Sequence, residues 1–588
     1  MKSIYIKFLL LISIGIINGC TDFLNRSPLS TMSPDTFFKN EQELEAFSNT
    51  FYTILPSSAL YIENVDNIIH QELSSEVIGN RIIPASGGGW NWTALRNINT
   101  LLENSSNCPD INVRNHYDAV ARFFRAYFYF EKIKRFGDVP WYDRQLGSSD
   151  NELYKPRDSR EYVMQHMIKD INFAIENLPS KKSLYKITKW TALALKSRFC
   201  LFEGTFRKYH GINYPDHDWQ WYLEQSASAA EEFILNSGYS IYNADGTTKS
   251  YINLFSSDNA IQTEVILARD YNAALGVFHN ANSYTLTPTQ GRPGMTKKLI
   301  NSYLMKDGSR FTDQKEWQTM SFAQECSDRD PRLAQTIRTP GYTRINKKEL
   351  LAPDLSASIT GYQLIKYVGK TDGDGFEKSY NDLVIFRTAE VLLNYAEAKA
   401  ELGILTQDDL DISIKKLRDR VGMPNINMTY ANENPDPYLE NPETGYLNVS
   451  GPYKGVILEI RRERNIELVQ EGFRYYDIIR WKEGKTFEQP LLGMYFPGPG
   501  EYDLNDDGQF DLCLYETDKP ETDAKLSQKI GRDIFLSEGS KGYISPHNIQ
   551  KREWDEMKDY LYPIPINERS LTMGALTQNP GWNDGLNF

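Results

Sequence analysis

Apolar residues recur along this chain at three- and four-residue steps, in blocks that come in pairs. Tyr117, Val120, Ala121, Phe124, Tyr127 and Phe128 share one face of a helix predicted over Arg114–Arg135, which Gly137-Asp-Val-Pro140 stops. A second helix is predicted from Ser159 to Asn177, with Tyr162, Val163, Met167, Ile171, Ala174 and Ile175 on one face. Thr188–Glu203 and Trp219–Asn236 repeat the pattern with Ala-rich faces, followed by Leu383–Leu402 with Asp408–Val421, and Lys454–Leu468 with Glu471–Trp481. Small residues such as Ala389, Ala396, Ala398 and Ala400 let neighbouring helices approach closely. The pattern predicts a mostly α fold built on helix pairs like tetratricopeptide repeats, unevenly spaced because long insertions separate them. A further helix is expected after Pro34, with Ser33 as its cap and Phe37, Phe38, Leu44 and Phe47 as its apolar face. Gly-, Asn- and Pro-rich stretches at 243–293, 370–380, 431–453 and 497–511 read as long loops, the expected ligand-facing surface.

The amino terminus follows another logic. Lys2 and Lys7 precede the apolar run from Phe8 to Ile17, which is too short for a stable membrane span and reads as a secretion signal. Ile17-Asn18-Gly19-Cys20 has the form of a bacterial lipobox, so residues 1–19 are expected to be cleaved and Cys20 to be acylated and membrane-anchored. The Pro/Ser-rich segment up to Pro34 then reads as a tether.

Loss of Lys2 and Lys7 with the leader takes the formal net charge from −13 to −15. Basic residues are scattered among more numerous acids, which excludes a nucleic-acid-binding stripe. Cys108, Cys200, Cys326 and Cys513 lie far apart, so neither a zinc site nor a disulfide scaffold is indicated. Aromatic residues make up 13% of the chain, and Tyr (36) outnumbers Phe (28), which suits partly wet ring faces offered to a ligand as well as core packing.

Enzyme signatures are absent: there is no H-E-x-x-H or G-x-S-x-G, and Gly369-Lys-Thr and Gly484-Lys-Thr lack the upstream glycine of a phosphate loop. His210 and His217 are near one another but have no third metal ligand. In Glu459-Ile-Arg-Arg-Glu-Arg-Asn-Ile-Glu-Leu468, Glu459 with Arg462 and Arg464 with Glu467 fall at i,i+3 and read as structural ion pairs. Asp503, Asn505, Asp507, Gln509 and Asp511 match the start of a calcium loop, with Gly508 at the sixth position. Leu514 stands where the bidentate Glu belongs, so a plain Asp/Gly turn is the alternative. No cofactor is required. For sugar recognition, Gly87-Gly-Gly-Trp-Asn-Trp92 combines a glycine loop with Trp90, Asn91 and Trp92, and Arg81 is nearby. The alternative is that one of these tryptophans is the first core residue of the helix carrying Leu95, Ile98 and Leu101. Tyr284, Gln290, Arg292 and Trp317 form a second candidate group.

Several motifs together resemble the SusD/RagB nutrient-binding lipoproteins of the Bacteroidetes. They are the leader Cys20-Thr-Asp-Phe-Leu-Asn-Arg-Ser-Pro28 with Ser33-Pro-Asp-Thr-Phe-Phe38, Arg122–Phe130 with Phe136-Gly-Asp-Val-Pro140, Phe386–Ala398, Arg461–Leu468 with Gly472–Asp477 and Arg480-Trp481, Tyr562-Pro-Ile-Pro565, and Gln578-Asn-Pro-Gly-Trp582. The resemblance implies a SusD-like fold with about four tetratricopeptide-like pairs as scaffold, long irregular loops and few short strands, divided into an amino-terminal region (20–240) and a carboxy-terminal region (241–588). It also implies a non-catalytic, outward-facing outer-membrane lipoprotein that takes up poly- or oligosaccharide. A SusC-like TonB-dependent transporter would be its partner, with this chain as the lid. A surface glycosidase, or a scaffold binding only proteins, would be the rival readings.

Overall fold

The computed structural model describes residues 37–588, so Cys20, the leader and the Ser33–Pro34 cap lie outside the described residues. The first helix there is α1 (Glu41–Ser48), later than the sequence suggests. Asn40 caps it, its side chain accepting from the Glu43 N–H at 3.0 Å. Phe37 and Phe38 precede the helix, and Phe38 packs edge-on against Phe47 at 4.9 Å.

Next come α2 (Thr93–Asn104), α3 (Ile111–Phe136) and α4 (Arg160–Asn177). Asp110 caps α3, Gly137 ends it at φ +72°, and Ser159 caps α4, each a residue type whose chemistry satisfies a helix end. Helix α5 (Lys189–His210) runs a full turn and more beyond the predicted Glu203 end, through Gly204. A Cβ at Gly204 would lie 2.7 Å from Leu223, so the glycine lets α6 (Trp219–Asn236) press against α5.

Two expectations fail in the second half. Leu383–Arg387 is a strand, not the start of a helix: Leu-Val-Ile-Phe-Arg pairs antiparallel with Val265–Arg269, and every residue of it is buried. Continuous burial on both faces erases the alternation that would have marked it. We call Val265–Arg269 β1 and Leu383–Arg387 β2; the helix that follows is α7 (Thr388–Leu402). The predicted Asp408–Val421 helix is two, α8 (Gln407–Ile412) and α9 (Ile414–Arg420), broken at Ser413, whose backbone (φ −122°, ψ −90°) is not helical. Then come α10 (Lys454–Glu467), α11 (Arg474–Arg480) and, near the end, α12 (Ile566–Leu571). Helices α3 and α4 pack together, as do α5 and α6, and α7 lies against α5, α6 and α10. The predicted loop at 243–293 carries short helices and β1, and that at 497–511 carries the strand Gly500–Tyr502, which pairs with Leu512–Tyr515 and through it with Leu526–Lys529. The architecture is mostly helical with few short strands, as the sequence implied.

Where α7, α9 and α10 meet β1 and β2, the interior is ionic. Glu264, beside β1, accepts from Arg387 at 2.9 Å, and Arg387 also pairs with Glu467 and Glu471 at 2.7 Å. Arg420 reaches Glu467 at 2.6 Å, Arg332 joins Glu463, Glu467 and Asp330, Arg418 holds Glu463 at 2.9 Å, and Lys366 holds Glu471 at 2.5 Å. Five cations thus meet five anions, all buried. The acidic run on α10 is structural, as expected, and Glu459 does pair with Arg462 at 3.0 Å. Arg464 instead turns to Asp477 at 2.8 Å and leaves Glu467 to this interior cluster.

Glu397 on α7 extends the ionic core, accepting from Arg480 at 2.8 Å and from the Trp481 indole at 2.7 Å. Burial alone would push its carboxyl up, but the Arg480 and Arg464 guanidiniums and the indole outweigh it and hold it at about 2. The folded value lies below the ordinary 4.5, so the stability Glu397 contributes is complete above that pH and is lost as pH falls towards 2. Glu397→Gln is expected to lower stability at neutral pH by about 3–5 kcal/mol and to flatten its decline below pH 4.5, read from denaturant midpoints across the acid range. An unchanged midpoint and an unchanged acid slope would remove Glu397 from this role.

Candidate functional site

The glycine loop before α2 is shaped by conformations that only glycine adopts easily. Gly87, Gly88 and Gly89 have φ of +74°, +56° and +91°, and a Cβ on Gly88 or Gly89 would come within 2.8 Å of Pro84 or Arg135. The Trp90 N–H closes the turn onto the Gly87 carbonyl at 2.8 Å. Two cations from α3 hold the loop from below: Arg135 Nε donates to the Gly88 carbonyl at 2.8 Å and Lys132 Nζ to the Gly89 carbonyl at 2.5 Å. Among the described residues Lys132 has no carboxylate within ion-pair distance; burial, with Arg135 nearby, pushes it down to about 8.

Fixed in this way, the two tryptophans take different roles. Trp90 is only 7% exposed and packs edge-on against Phe136 at 4.9 Å. Trp92 is half-buried, meets Trp90 at 5.3 Å and Tyr142 at 5.6 Å, and lies 5.4 Å from the Lys132 ammonium. Asn91 is exposed, and its side-chain carbonyl accepts from the Thr93 N–H at 2.9 Å, starting α2. The site-or-core alternative posed by the sequence therefore divides within the pair: Trp90 is mainly core and Trp92 faces outward.

Both rings border an open cleft of about 370 Å³. Its far wall is the segment after α3, bearing Tyr142, Arg144 and Leu153, and its end is closed by Glu568, Thr572 and Leu576 from α12 and just beyond. Asn99 anchors that wall, donating to the Tyr142 and Arg144 carbonyls at 3.0 and 3.1 Å, while the Tyr129 hydroxyl accepts from the Tyr142 N–H at 2.6 Å. Half-exposed rings on rigid backbone, next to hydroxyl and guanidinium groups, suit a flat ligand with one apolar face and many hydroxyls. Tyr142, Asn99 and the α12 residues escaped the sequence reading. Tyr142 carried one signal, its place just after the Phe136–Pro140 exit turn; α12 carried none, being more than 400 positions away.

The other candidates lie elsewhere. Arg81 is buried and bonds Asp559 at 3.0 Å beneath the Tyr562 ring, 4.5 Å from its centroid; it fastens the carboxy-terminal segment rather than facing the cleft. Tyr284 is 2% exposed, its hydroxyl 2.6 Å from His70 Nε2, so its ring offers no face to a ligand. Arg292 is half-buried and spends an N–H on the Leu355 carbonyl at 2.7 Å. Trp317 is half-exposed against Phe311 and Tyr438, apart from the Tyr61–Tyr284–His70 cluster. His210 bonds the Ile479 carbonyl and His217 bonds Glu161.

In the loop read as a calcium-loop start, the side-chain oxygens meet backbone amides. Asp503 accepts from the backbone N–H groups of Asn505, Asp507 and Gly508, and Asp507 from that of Gln509. Asp511 accepts from the Leu504 N–H and pairs with Lys525 at 2.9 Å. These oxygens are engaged with backbone amides, and among the described residues no group of three His, Cys, Asp or Glu side chains is placed to hold a metal ion.

Residues 231–582 match the family model described as the SusD family, and residues 22–201 match one described as "Starch-binding associating with outer membrane". A SusD-like protein of Formosa agariphila is 22% identical over 527 residues, 84% of this chain and 94% of that one. Among solved structures, a SusD-like protein of Bacteroides fragilis superposes with a TM-score of 0.68 at 21% identity, covering 95% of this chain and 100% of that one. A SusD-like carbohydrate binding protein from the same species gives 0.67 at 21% identity, covering 91% and 99%.

Arg81→Ala leaves Asp559 buried without its guanidinium and is expected to cost about 3–5 kcal/mol, read as a lower denaturant midpoint. A midpoint equal to that of the unaltered protein would show that the Arg81–Asp559 pair does not fasten the carboxy-terminal segment.

Proposed function

The chain belongs to the SusD family, and from that premise we propose that it is a non-catalytic glycan-binding lipoprotein of the outer membrane, facing the cell exterior. It takes poly- or oligosaccharide into the Trp90–Trp92 cleft and passes it to a SusC-like TonB-dependent transporter, over which it sits as a lid. Acylated Cys20 is its anchor; among the described residues no helix is long and apolar enough to cross a membrane. The single observation that supports capture most directly is Trp92, a half-exposed ring on a glycine loop pinned by Lys132 and Arg135, opposite Tyr142. Such a ring stacks on the C–H face of a sugar without first losing rotamer freedom, and the polar rim bonds the hydroxyls.

Trp92→Ala is expected to abolish retention in affinity gels cast with the recognised polysaccharide while the protein stays folded. Trp90→Ala should do so with a further stability loss of about 3–5 kcal/mol, because that ring is core. Unchanged mobility of the Trp92 variant would sink the site assignment, and new reducing ends released by the purified protein would sink the non-catalytic reading. Cys20→Ser should move the protein from the membrane to the soluble fraction; continued sedimentation with membranes would count against the anchor.

A further inference from the structure

The aromatic contacts that begin in the cleft continue through its floor to another surface. Beneath Trp92, at 6.2 Å, lies Tyr129, which stacks on Trp141 at 4.3 Å with 28° between the planes. Trp141 is followed by His166 at 4.8 Å, and His166 by Tyr162 at 4.3 Å, a ring 44% exposed on the outer side of α4. Next to them, His217 lies 3.9 Å from Trp221 in the first turn of α6, and Trp221 meets Tyr222 edge-on at 4.9 Å. His166, His217 and Trp221 are all half-exposed.

Polar groups bridge the two ring pairs. Gln165 donates to Glu161 at 2.8 Å and to Asp216 at 3.3 Å, and His217 Nδ1 lies 2.9 Å from the same Glu161 oxygen. Glu161 is further held by Arg207 at 2.7 Å, so the bridge is fixed to the interior. The rings sit outside the Met164, Met167 and Ile171 face by which α4 seals the core. On the cleft wall Leu153 and its chain neighbour Tyr154 are 38% and 51% exposed.

We propose that this outer face is a second glycan platform, occupied by the same chain that enters the Trp92 cleft, and that the ligand is a neutral polysaccharide long enough to touch both. The inference rests on the binding reading above. Fixed rings flanked by amide and carboxylate groups supply the same recognition chemistry as the cleft. Asp216, Asp218 and Glu224 are exposed around the platform, so a uronic or sulfated chain would be repelled there. Two linked contacts make the second one intramolecular, so a polymer gains affinity that a short oligosaccharide cannot.

The test uses the full chain in affinity gels cast with soluble starch, xylan, galactomannan, alginate or carrageenan, and calorimetry with the trisaccharide of whichever polymer retains the unaltered protein. Tyr162→Ala/Trp221→Ala is expected to weaken polymer binding about tenfold and to leave trisaccharide binding unchanged, whereas Trp92→Ala should weaken both. Unchanged trisaccharide binding also reports that the double variant is folded; if that variant does not fold, Tyr162→Ala alone, on an exposed ring, carries the same comparison. Undiminished polymer binding by the platform variant would overturn the second platform and leave the cleft intact. Retention by alginate or carrageenan alone would overturn the neutral-polymer class. Retention by none of the five polymers would defeat the binding reading and this inference with it.

Discussion

Glu467 stands at the end of α10, fully buried, with Arg387, Arg420 and Arg332 all within bonding distance. A lone buried carboxylate would cost several kcal/mol or give up its charge, and three unpaired guanidiniums would cost more. The interior is tolerable only because the charges balance and each is bonded, which requires β2, α9, α10 and the Asp330–Arg332 turn to arrive together. Apolar packing can slide; a bidentate guanidinium–carboxylate pair cannot without breaking. The scaffold thereby gains a fixed register among these elements, and the loops hang from that frame.

The cleft is completed by a second set of long-range bonds. Arg81, Asp559 and Tyr562 bring the carboxy-terminal segment onto the amino-terminal helices, and the Asn579 side chain bonds the Phe136 and Tyr562 carbonyls at 3.0 and 2.7 Å. Only then do Glu568, Thr572 and Leu576 close the end of the cleft. Arg81, chosen from the sequence as a contact for ligand, acts one layer further back: it places the wall that the ligand would meet.

How much of this was legible before the coordinates follows from the physics of each signal. Helices with one wet and one dry face announced themselves by period, and their ends by Ser159, Gly137 and Pro140. The β2 strand, dry on both faces, did not, and nothing in the composition of α8–α9 marked the break at Ser413. The Trp90–Trp92 loop was visible because consecutive glycines beside tryptophans are expensive unless backbone shape matters. Tyr284 and Arg81 were misplaced because an aromatic or charged side chain serves equally well as a ligand contact and as a satisfied interior group. Only burial separates those uses. The matching residues of α12 lie too far along the chain for any local pattern to connect them.

That long reach bears on the order in which the molecule comes into being. The bonds that finish the cleft join positions separated by 478 residues at Arg81–Asp559 and by 443 at Asn579–Phe136. Contacts of such separation form late, after the shorter loops have closed. Helices α2 and α3 can therefore assemble while the cleft still lacks an end wall, and the cleft is complete only once nearly the whole chain is present.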